Sequence, residues 1–207
     1  MELTKLLYEN PHITSVINKT IVEYDIASAA TTAIRYIYGE AVYNDLMKLD
    51  KKERNIKTGM MQRSDPELWP KIEKITLSWF NMFIETNKID EKNIIETTRD
   101  SIVIVDKIPT ITSFDNGIIN FRNKDGVYTS YYRVNDKKIF FDSMNNEILI
   151  KGVNKEYVSN SLFVKKIIIP LLTLIEKDYI GGPSKLLTCF SLYKHKYLEY
   201  NDNAIYR

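Results

Sequence analysis

Cysteine and histidine, on which many metal and nucleophilic sites depend, are almost missing from this chain. Its 207 residues include one cysteine, Cys189, and two histidines, His12 and His195. A single cysteine excludes an intramolecular disulfide and a metal site built from several thiolates, and it suits reducing surroundings. A Ser-His-Asp hydrolase or a histidine-rich metal site would need a histidine to meet partners that the sequence does not reveal. We therefore interpret both histidines as surface or structural residues.

Glycine-rich loops and long apolar runs are also lacking. The seven glycines are scattered, and the adjacent pair Gly181 and Gly182 is not followed by the Lys-Ser/Thr of a Walker loop. The longest apolar run, Ile167–Ile175, is interrupted by Pro170 and is too short to span a bilayer. The N-terminus has neither the charged nor the apolar region of a signal peptide. We expect a soluble cytoplasmic protein with no membrane partner.

A strong excess of one charge is absent as well. Lys and Arg number 29 against 27 Asp and Glu, which gives a net charge of +2. This balance excludes a strongly basic protein that coats nucleic acid, so any polyanion site must be a local patch. Abundant Lys, Ile and Asn with few Gly or Ala are typical of an AT-rich genome, as in a phage or a low-GC bacterium. A phage-encoded protein would occupy the cytoplasm of the bacterial host.

The first half of the sequence passes from a strand pattern to helix patterns. Thr20–Asp25 predicts a strand, and Ala27–Leu49 has helical spacing. The basic stretch Lys48–Arg63 predicts helix and loop. Ser64-Asp65-Pro66-Glu67 has the spacing of a capping box, and the apolar stripe after it predicts a helix as far as about Asn87.

The second half begins with strand patterns. Asn93–Thr97 and Ser101–Asp106 predict a hairpin whose tip is Thr98-Arg99-Asp100. Turn signals at Asn123–Gly126 and Asn135–Asp136 predict that the strands after the hairpin form an antiparallel meander. These strands are Gly117–Arg122, Val127–Val134, Lys138–Asp142 and Glu147–Ile150.

The end of the chain returns to a helix pattern. Lys155–Tyr179 predicts a helix kinked at Pro170, Gly181-Gly182-Pro183 predicts its end, and Ser184–Arg207 fits either a helix or a hairpin. We expect an α+β fold in which helices pack mainly on one face of an antiparallel sheet. The expected organisation is a single compact domain over residues 1–207, with a meander and C-terminal helical region over residues 115–207.

Two aspartates lie at the edges of predicted strands, which is where a two-metal site would need carboxylates. Asp25 ends the first predicted strand, and Asp100 lies at the tip of the predicted hairpin. Two divalent ions about 4 Å apart must share carboxylates that rigid neighbouring strands hold in place. Asp25 and Asp100 are therefore the candidate catalytic and metal-binding residues.

The segments around these aspartates resemble known motifs. Tyr-Asp-Ile-Ala-Ser-Ala at Tyr24–Ala29 resembles the first catalytic motif of the palm domain of nucleic-acid polymerases, in which an aspartate ends a strand before a helix. Thr-Arg-Asp-Ser-Ile-Val at Thr98–Val103 resembles the second motif, a hairpin tip, in B-family DNA polymerases. The resemblance covers residues 20–107. It departs from the family at Thr98, where those enzymes place an additional aspartate, and the chain is much shorter than theirs.

The resemblance implies a palm-like fold and a reaction on nucleic acid. Asp25 and Asp100 would bind Mg²⁺, or Mn²⁺, and the partners would be a nucleoside triphosphate and nucleic acid. The phosphate contacts that it implies are Ser28, Lys51, Arg54, Lys57 and Arg99. The alternative for the basic stretch is a solvated helix face, because charge runs commonly form one.

The predicted meander could also contact nucleic acid. Tyr128 and Tyr132 alternate along one strand next to Arg133, and aromatic residues with cations on a sheet face can stack bases. The alternative is that these tyrosines are strand residues with one side buried.

Two functions therefore stay open at the sequence level. The first is a palm-like nucleotidyltransferase or a degenerate descendant of one. The second is a non-enzymatic phage protein that binds nucleic acid or a partner protein, in which the aspartates only cap a helix and a turn. A common cleft for Asp25 and Asp100 would favour the first.

Overall fold

The computed structural model describes residues 2–134, 137–162 and 164–177. The predicted turn at Asn135–Asp136, the predicted helix end at Gly181-Gly182-Pro183 and the segment Ser184–Arg207 lie outside the described residues. Cys189 and His195 also lie outside them.

The described residues contain both strands and helices. In chain order the strands are β1 (Tyr8–Glu9), β2 (Ser15–Val16), β3 (Ile21–Ile26), β4 (Ile94–Thr97), β5 (Ser101–Val105), β6 (Ser113–Phe114), β7 (Ile119–Tyr128), β8 (Ser130–Val134), β9 (Lys137–Asp142) and β10 (Glu147–Lys151). The helices are α1 (Ala29–Tyr38), α2 (Glu40–Met47), α3 (Lys51–Ser64), α4 (Leu68–Thr86), α5 (Lys155–Asn160) and α6 (Ile169–Lys177). The predicted α+β class is confirmed. No helix in this part of the chain is long and apolar enough to cross a membrane.

The chain divides into two compact units. The first comprises Met1–Asn10 and Val22–Gly126, and the second comprises Pro11–Ile21 and the chain from Val127 onward. Each unit has a hydrophobic cluster of its own, which is the physical reason for the division.

The first unit is built on a sheet with the strand order β1-β4-β5-β3-β7-β6. β4 pairs antiparallel with β1 and β5, and β3 lies between β5 and β7. Val22, Tyr24 and Ile26 of β3 join the core, to which α4 contributes Phe80 and Phe83. The rings of Tyr24 and Phe83 lie 5.6 Å apart between centroids. This packing holds the helices against the strands that carry the candidate aspartates.

The helix predicted over Ala27–Leu49 is interrupted, and that boundary prediction is wrong. Gly39 separates α1 from α2 with a φ of +86°, a conformation that suits glycine because it has no Cβ. The Gly39 N–H still donates to the Arg35 carbonyl at 2.9 Å, and the non-helical conformation of Gly39 then ends α1.

The predicted capping box at Ser64 is also wrong, because the box lies at the other end of α3. Asp50 Oδ1 accepts from Glu53 N at 2.8 Å, and Glu53 Oε2 accepts from Asp50 N at 3.3 Å. The basic stretch is consequently helical from Lys51 to Ser64, and α4 begins at Leu68.

The turn predicted at Asn123–Gly126 does not separate two strands. Asn123 Oδ1 accepts from Gly126 N at 3.0 Å, so the local turn bond forms, but β7 continues through it. β7 belongs to the sheet of β3 and β6, whereas β8, β9 and β10 form another sheet. The prediction of one meander is therefore wrong.

The second unit packs helices against a sheet with the order β10-β9-β8-β2. One face of this sheet presents Tyr132, Ile139 and Ile150 side by side, and these residues share a core with Leu172 and Ile175 of α6. The other face of the same strands points away from this core.

The helix predicted over Lys155–Tyr179 breaks before Pro170. α5 ends at Asn160, and a π-helical turn over Val164–Ile168 leads into α6. Because Pro170 has no N–H to donate, a locally wider helix next to it is physically reasonable.

Glu176 connects α6 with the sheet of the second unit. Its side chain is 8% exposed, Thr129 Oγ1 lies 2.8 Å from Glu176 Oε1, and Ser130 Oγ donates to the same oxygen. Asn18 Nδ2 donates to the Glu176 carbonyl at 2.8 Å. One carboxylate therefore satisfies two hydroxyl groups next to the core.

Replacing Glu176 by alanine should destabilise the protein. The buried Ser130 hydroxyl would lose its acceptor, whereas Thr129 Oγ1 could still donate to the Phe141 carbonyl at 3.1 Å. The loss costs about 2 kcal/mol of unfolding free energy. The matched control is Glu147→Ala, which removes an exposed carboxylate from β10. Urea unfolding followed by circular dichroism measures both, and equal midpoints for the two variants would refute the prediction.

Candidate functional site

A cleft of about 420 Å³ opens in the first unit beside the end of β3 and the tip of the β4–β5 hairpin. We call it the aspartate cleft. Its polar and charged lining residues are Asp25, Ser28, Thr31, Lys51, Arg54, Asn55, Glu73, Thr76, Arg99 and Asp100. The hydrophobic lining includes Trp69 and Ile72 of α4.

Asp25 and Asp100 meet in this cleft because their strands are neighbours. Asp25 is the fifth residue of β3, and Asp100 directly precedes β5. The Ile26 N–H donates to the Asp100 carbonyl at 2.7 Å, while the Ala27 N–H donates to the Asn120 carbonyl of β7 at 2.9 Å. The end of β3 is thus held from both sides, by the residue that precedes β5 and by β7.

The environment of Asp25 disfavours its charged form. Burial is the main cause that raises its pKa, and the nearby carboxylate of Asp100 raises it further. Lys124 and Lys51 lower the pKa and Glu23 raises it. Asp25 Oδ1 is buried and has no hydrogen-bond partner among the described residues. A cation in the cleft would relieve both effects.

Glu23 is a further acidic residue beside the cleft, and we did not predict it from the sequence. It is 2% exposed, accepts from Ser101 Oγ at 2.8 Å and lies 3.6 Å from Lys124 Nζ. Glu23 and Asp25 share one side of β3, because side chains alternate along a strand. An acid two positions before Asp25 was the signal that could have revealed it.

The hairpin tip has its own internal hydrogen bonds. Thr98 Oγ1 accepts from Ser101 N at 3.1 Å and lies 2.8 Å from Ser101 Oγ. Thr98, which stands where the resembling enzymes place an aspartate, therefore shapes the turn that presents Asp100. Arg99 extends to α4, where its guanidinium carbon lies 5.4 Å from the centre of a Trp69 ring.

Helix α3 supplies a basic wall to the cleft. Lys51, Arg54 and Asn55 line it together, as expected for residues at positions i, i+3 and i+4 of a helix. Lys57 does not line the cleft, although we predicted it together with Lys51 and Arg54 as a phosphate contact. Six residues after Lys51, it lies on another side of α3, where its charge helps to lower the pKa of Asp45.

Ser28 lies at the start of α1 in an unusual backbone conformation. Its φ of 52° and ψ of 42° are left-handed, and its hydroxyl makes no capping bond. Ala29, Ala30 and Thr31 follow it along the cleft. The first N–H groups of α1 therefore point to the same region as Ser28.

Helix α4 contributes side chains to the cleft that we did not predict from the sequence. Trp69, Glu73 and Thr76 line the cleft at positions i, i+4 and i+7. A glutamate on the otherwise apolar face of α4 was the available signal. Among the residues that the structure describes, no three His, Cys, Asp or Glu side chains are placed to hold a metal ion together.

The proposed base-stacking residues of the second unit are not presented to a ligand. Tyr128 and Tyr132 are 6% and 2% exposed, and burial raises the pKa of Tyr132 to about 12. The structure favours the alternative of strand tyrosines with buried rings. Arg133 is half-buried, and its Nη2 lies 3.5 Å from the Pro11 carbonyl. His12 is exposed.

Comparison with known proteins relates the chain to a phage protein family. The model of a family described as Bacteriophage PBS1 gene 130 protein matches residues 2–206. No curated protein matches the chain. The match confirms the phage association that the residue composition allowed.

Asp25→Asn should stabilise the protein at neutral pH without divalent ions. The pKa of Asp25 in the folded protein is raised above its ordinary value of 3.8. The stability that the protonated Asp25 carboxyl contributes is therefore fully present below pH 3.8, and it is lost as the pH rises through the folded-state pKa. After allowance for solvent screening, the gain at pH 7 should be on the order of 0.5 kcal/mol.

Thermal unfolding at several pH values measures this gain, which should disappear below about pH 3.5. The control is Asp45→Asn, since Lys48 lowers the pKa of that exposed carboxylate and its loss should not stabilise the fold. A variant that is less stable than the wild type at pH 7 would contradict the assignment of Asp25 as a disfavoured charge.

Proposed function

The chain belongs to the bacteriophage PBS1 gene 130 protein family, and we propose that it is a metal-dependent nucleotidyltransferase acting on nucleic acid. The aspartate cleft would be its active site. The observation that carries the proposal is the pair Asp25 and Asp100, held on neighbouring strands and faced by the basic wall of α3. Such an arrangement suits a triphosphate that is bound partly by cations of the protein and partly by metal ions.

The residues present are compatible with a divalent metal. Magnesium prefers hard oxygen ligands and is commonly held by one or two carboxylates together with phosphate oxygens and water. Asp25 and Asp100 would be its ligands, and the unsatisfied Oδ1 of Asp25 offers an oxygen for it. When bound, Mg²⁺ or Mn²⁺ would activate the attacking hydroxyl group and neutralise the phosphates.

The remaining polar residues of the cleft would position the substrate. Lys51 and Arg54 would bind phosphates from one side, and Ser28 with the first N–H groups of α1 would bind them from another. Arg99, oriented by its contact with Trp69, would add a phosphate contact next to Asp100. The order of β3, helices and the β4–β5 hairpin is the order of elements that the resemblance to a polymerase palm implies.

The second candidate function is non-catalytic binding: the protein would bind a ligand in the aspartate cleft and perform no reaction. It is favoured by the small number of carboxylates, because among the described residues no set of three can hold a metal, and by the cation of Arg99 next to Asp100. Nucleic acid, a nucleotide or a protein partner would then be bound without turnover. Primer extension separates the candidates, since only the first produces longer products.

Asp100→Asn should remove activity while the fold stays intact. Loss of a metal ligand is expected to slow extension of a labelled primer on the order of a thousandfold. In calorimetric titrations, Mn²⁺ should bind the wild type and bind Asp25→Asn and Asp100→Asn more than about tenfold more weakly.

The matched control for this experiment is Asp90→Asn, because Asp90 is an exposed carboxylate whose side chain lies outside the cleft. It should bind Mn²⁺ like the wild type. If Asp100→Asn extends primers at the wild-type rate, the catalytic assignment is wrong.

Substitutions on α3 should weaken triphosphate binding on one side of the helix only. Lys51→Gln and Arg54→Gln should each lower the affinity about tenfold, since each removes a charge-assisted hydrogen bond. Lys57→Gln is the control, because it removes the same charge from the side of α3 that does not line the cleft. Equal affinities for all three variants would exclude the basic wall as the phosphate site.

A further inference from the structure

The aspartate cleft has a second helical wall whose chemistry differs from that of the basic wall. Helix α3 supplies the cations Lys51 and Arg54. The residues that α4 supplies are Trp69, Ile72, Glu73 and Thr76, and we call them the α4 wall. They include one acid and no cation. Because phosphates are attracted to cations and repelled by carboxylates, a phosphorylated ligand directs its phosphates toward α3 and its uncharged part toward the α4 wall.

Trp69 and Arg99 form a platform at the edge of this wall. The guanidinium carbon of Arg99 lies 5.4 Å from the centre of a Trp69 ring. Trp69 is half-buried and packs against the core of the first unit, which fixes its position. Indole rings and planar guanidinium groups both stack on the flat faces of nucleobases. The platform therefore suits a flat aromatic part of a ligand.

Glu73 gives the α4 wall its polar group. Trp69 and Glu73 are four residues apart in α4, so their side chains are neighbours on one face of the helix. Thr76 Oγ1 donates to the Ile72 carbonyl at 2.9 Å, so its donor is used within the helix. An ionised carboxylate only accepts hydrogen bonds. The wall therefore favours a flat group whose edge donates a hydrogen bond.

Glu73 lies apart from the two aspartates of the cleft. Among the described residues, those whose charges shift the pKa of Asp25 are Asp100, Lys124, Glu23 and Lys51, and Glu73 does not belong to them. In the same part of the chain, Glu73 forms no metal-binding set with Asp25 and Asp100. Its carboxylate is therefore available to a part of the ligand that does not carry the metal.

We propose that the α4 wall binds the base of a nucleoside triphosphate and selects bases that carry an amino group, such as cytosine. The base stacks on Trp69 and Arg99, and Glu73 accepts a hydrogen bond from the exocyclic amino group. Carboxylates recognise the amino group of cytosine in this way, whereas uracil presents a carbonyl oxygen at the same position. The cleft volume of about 420 Å³ lies within the range of small-molecule sites.

The proposal rests on the proposed function for the position of the phosphates, and it adds the recognition of the base. Since Trp69, Glu73 and Arg99 all belong to the protein, this selection needs no template strand.

The test is calorimetric titration of the full chain with Mg²⁺ and without a primer. The probes are CTP, UTP and inorganic tripolyphosphate. CTP and UTP differ at the edge of the base, and tripolyphosphate has no base. The wild type should bind CTP about tenfold more tightly than UTP, because only CTP offers an amino group to Glu73. It should bind tripolyphosphate more weakly than either nucleotide.

Substitutions of Trp69 test the platform. Trp69→Leu should lower the affinity for CTP and UTP about tenfold and leave the affinity for tripolyphosphate unchanged, because it removes a stacking surface and no charge. Trp69→Phe keeps a ring and should keep most of the affinity. The control is Tyr38→Leu, which removes an exposed aromatic side chain that does not line the cleft.

A substitution of Glu73 tests the selection of the base. Glu73→Gln should bring the affinities for CTP and UTP close together, because an amide donates as well as accepts hydrogen bonds. The matched control is Glu85→Gln, which changes an exposed carboxylate of α4 outside the cleft and should keep the wild-type preference.

Tryptophan fluorescence gives a second measurement. The chain has two tryptophans, and Trp79 is 5% exposed in the core. Trp79→Phe therefore leaves Trp69 as the reporter. CTP should quench its emission, and tripolyphosphate should not. Circular dichroism shows whether each variant is folded, and the wild-type titrations decide the question if Trp79→Phe does not fold.

Three results would overturn the proposal. They are equal wild-type affinities for CTP and tripolyphosphate, equal wild-type affinities for CTP and UTP, and an unchanged CTP affinity in folded Trp69→Leu. Base-selective binding without primer extension would contradict the proposed nucleotidyltransferase and support the base site. Primer extension together with base-independent binding would contradict the base site alone.

Discussion

The pairing of β3 with β5 is the constraint on which the candidate site depends. The hydrogen bond between Ile26 N and the Asp100 carbonyl joins the end of β3 to the tip of a hairpin that lies much later in the sequence. Without it, Asp25 and Asp100 would belong to two independent turns. The second bond, from Ala27 to β7, prevents the end of β3 from fraying. Backbone pairing thus brings the carboxylates of Asp25 and Asp100 to the same cleft.

The cleft combines charges that would be unfavourable if each stood alone. Asp25 is disfavoured as an anion by burial and by Asp100, while Lys124 and Lys51 act in the opposite sense. Glu23 is stabilised next to them by Ser101 and Lys124. Incomplete neutralisation of buried charges is common at sites that bind a charged ligand, because the ligand neutralises the remaining charge.

Local patterns predicted elements well and boundaries less well. The strand at Asp25 and the hairpin tip at Thr98-Arg99-Asp100 follow from short runs of β-prone residues, and the structure contains both. The division at Gly39 and the continuation of β7 through Asn123–Gly126 depend on backbone conformation and on pairing with distant strands, which no local pattern reports. Lys57 was grouped with Lys51 and Arg54 by proximity in sequence, and the helical period separates them. Glu23 and Glu73 were missed although the sequence offered a signal for each, because folding brings them near residues that are distant in the chain.

The order in which the chain enters its two units has a consequence for folding on the ribosome. The segment Pro11–Ile21 belongs to the second unit, although Met1–Asn10 and Val22–Gly126 belong to the first. Ser15 of β2 pairs with Tyr132 of β8, so the second sheet cannot be completed until most of the protein has been synthesised. Ser15 and Val16 therefore remain without their partner strand while the first unit can already form. A single cut in the chain therefore cannot release either complete unit without residues of the other.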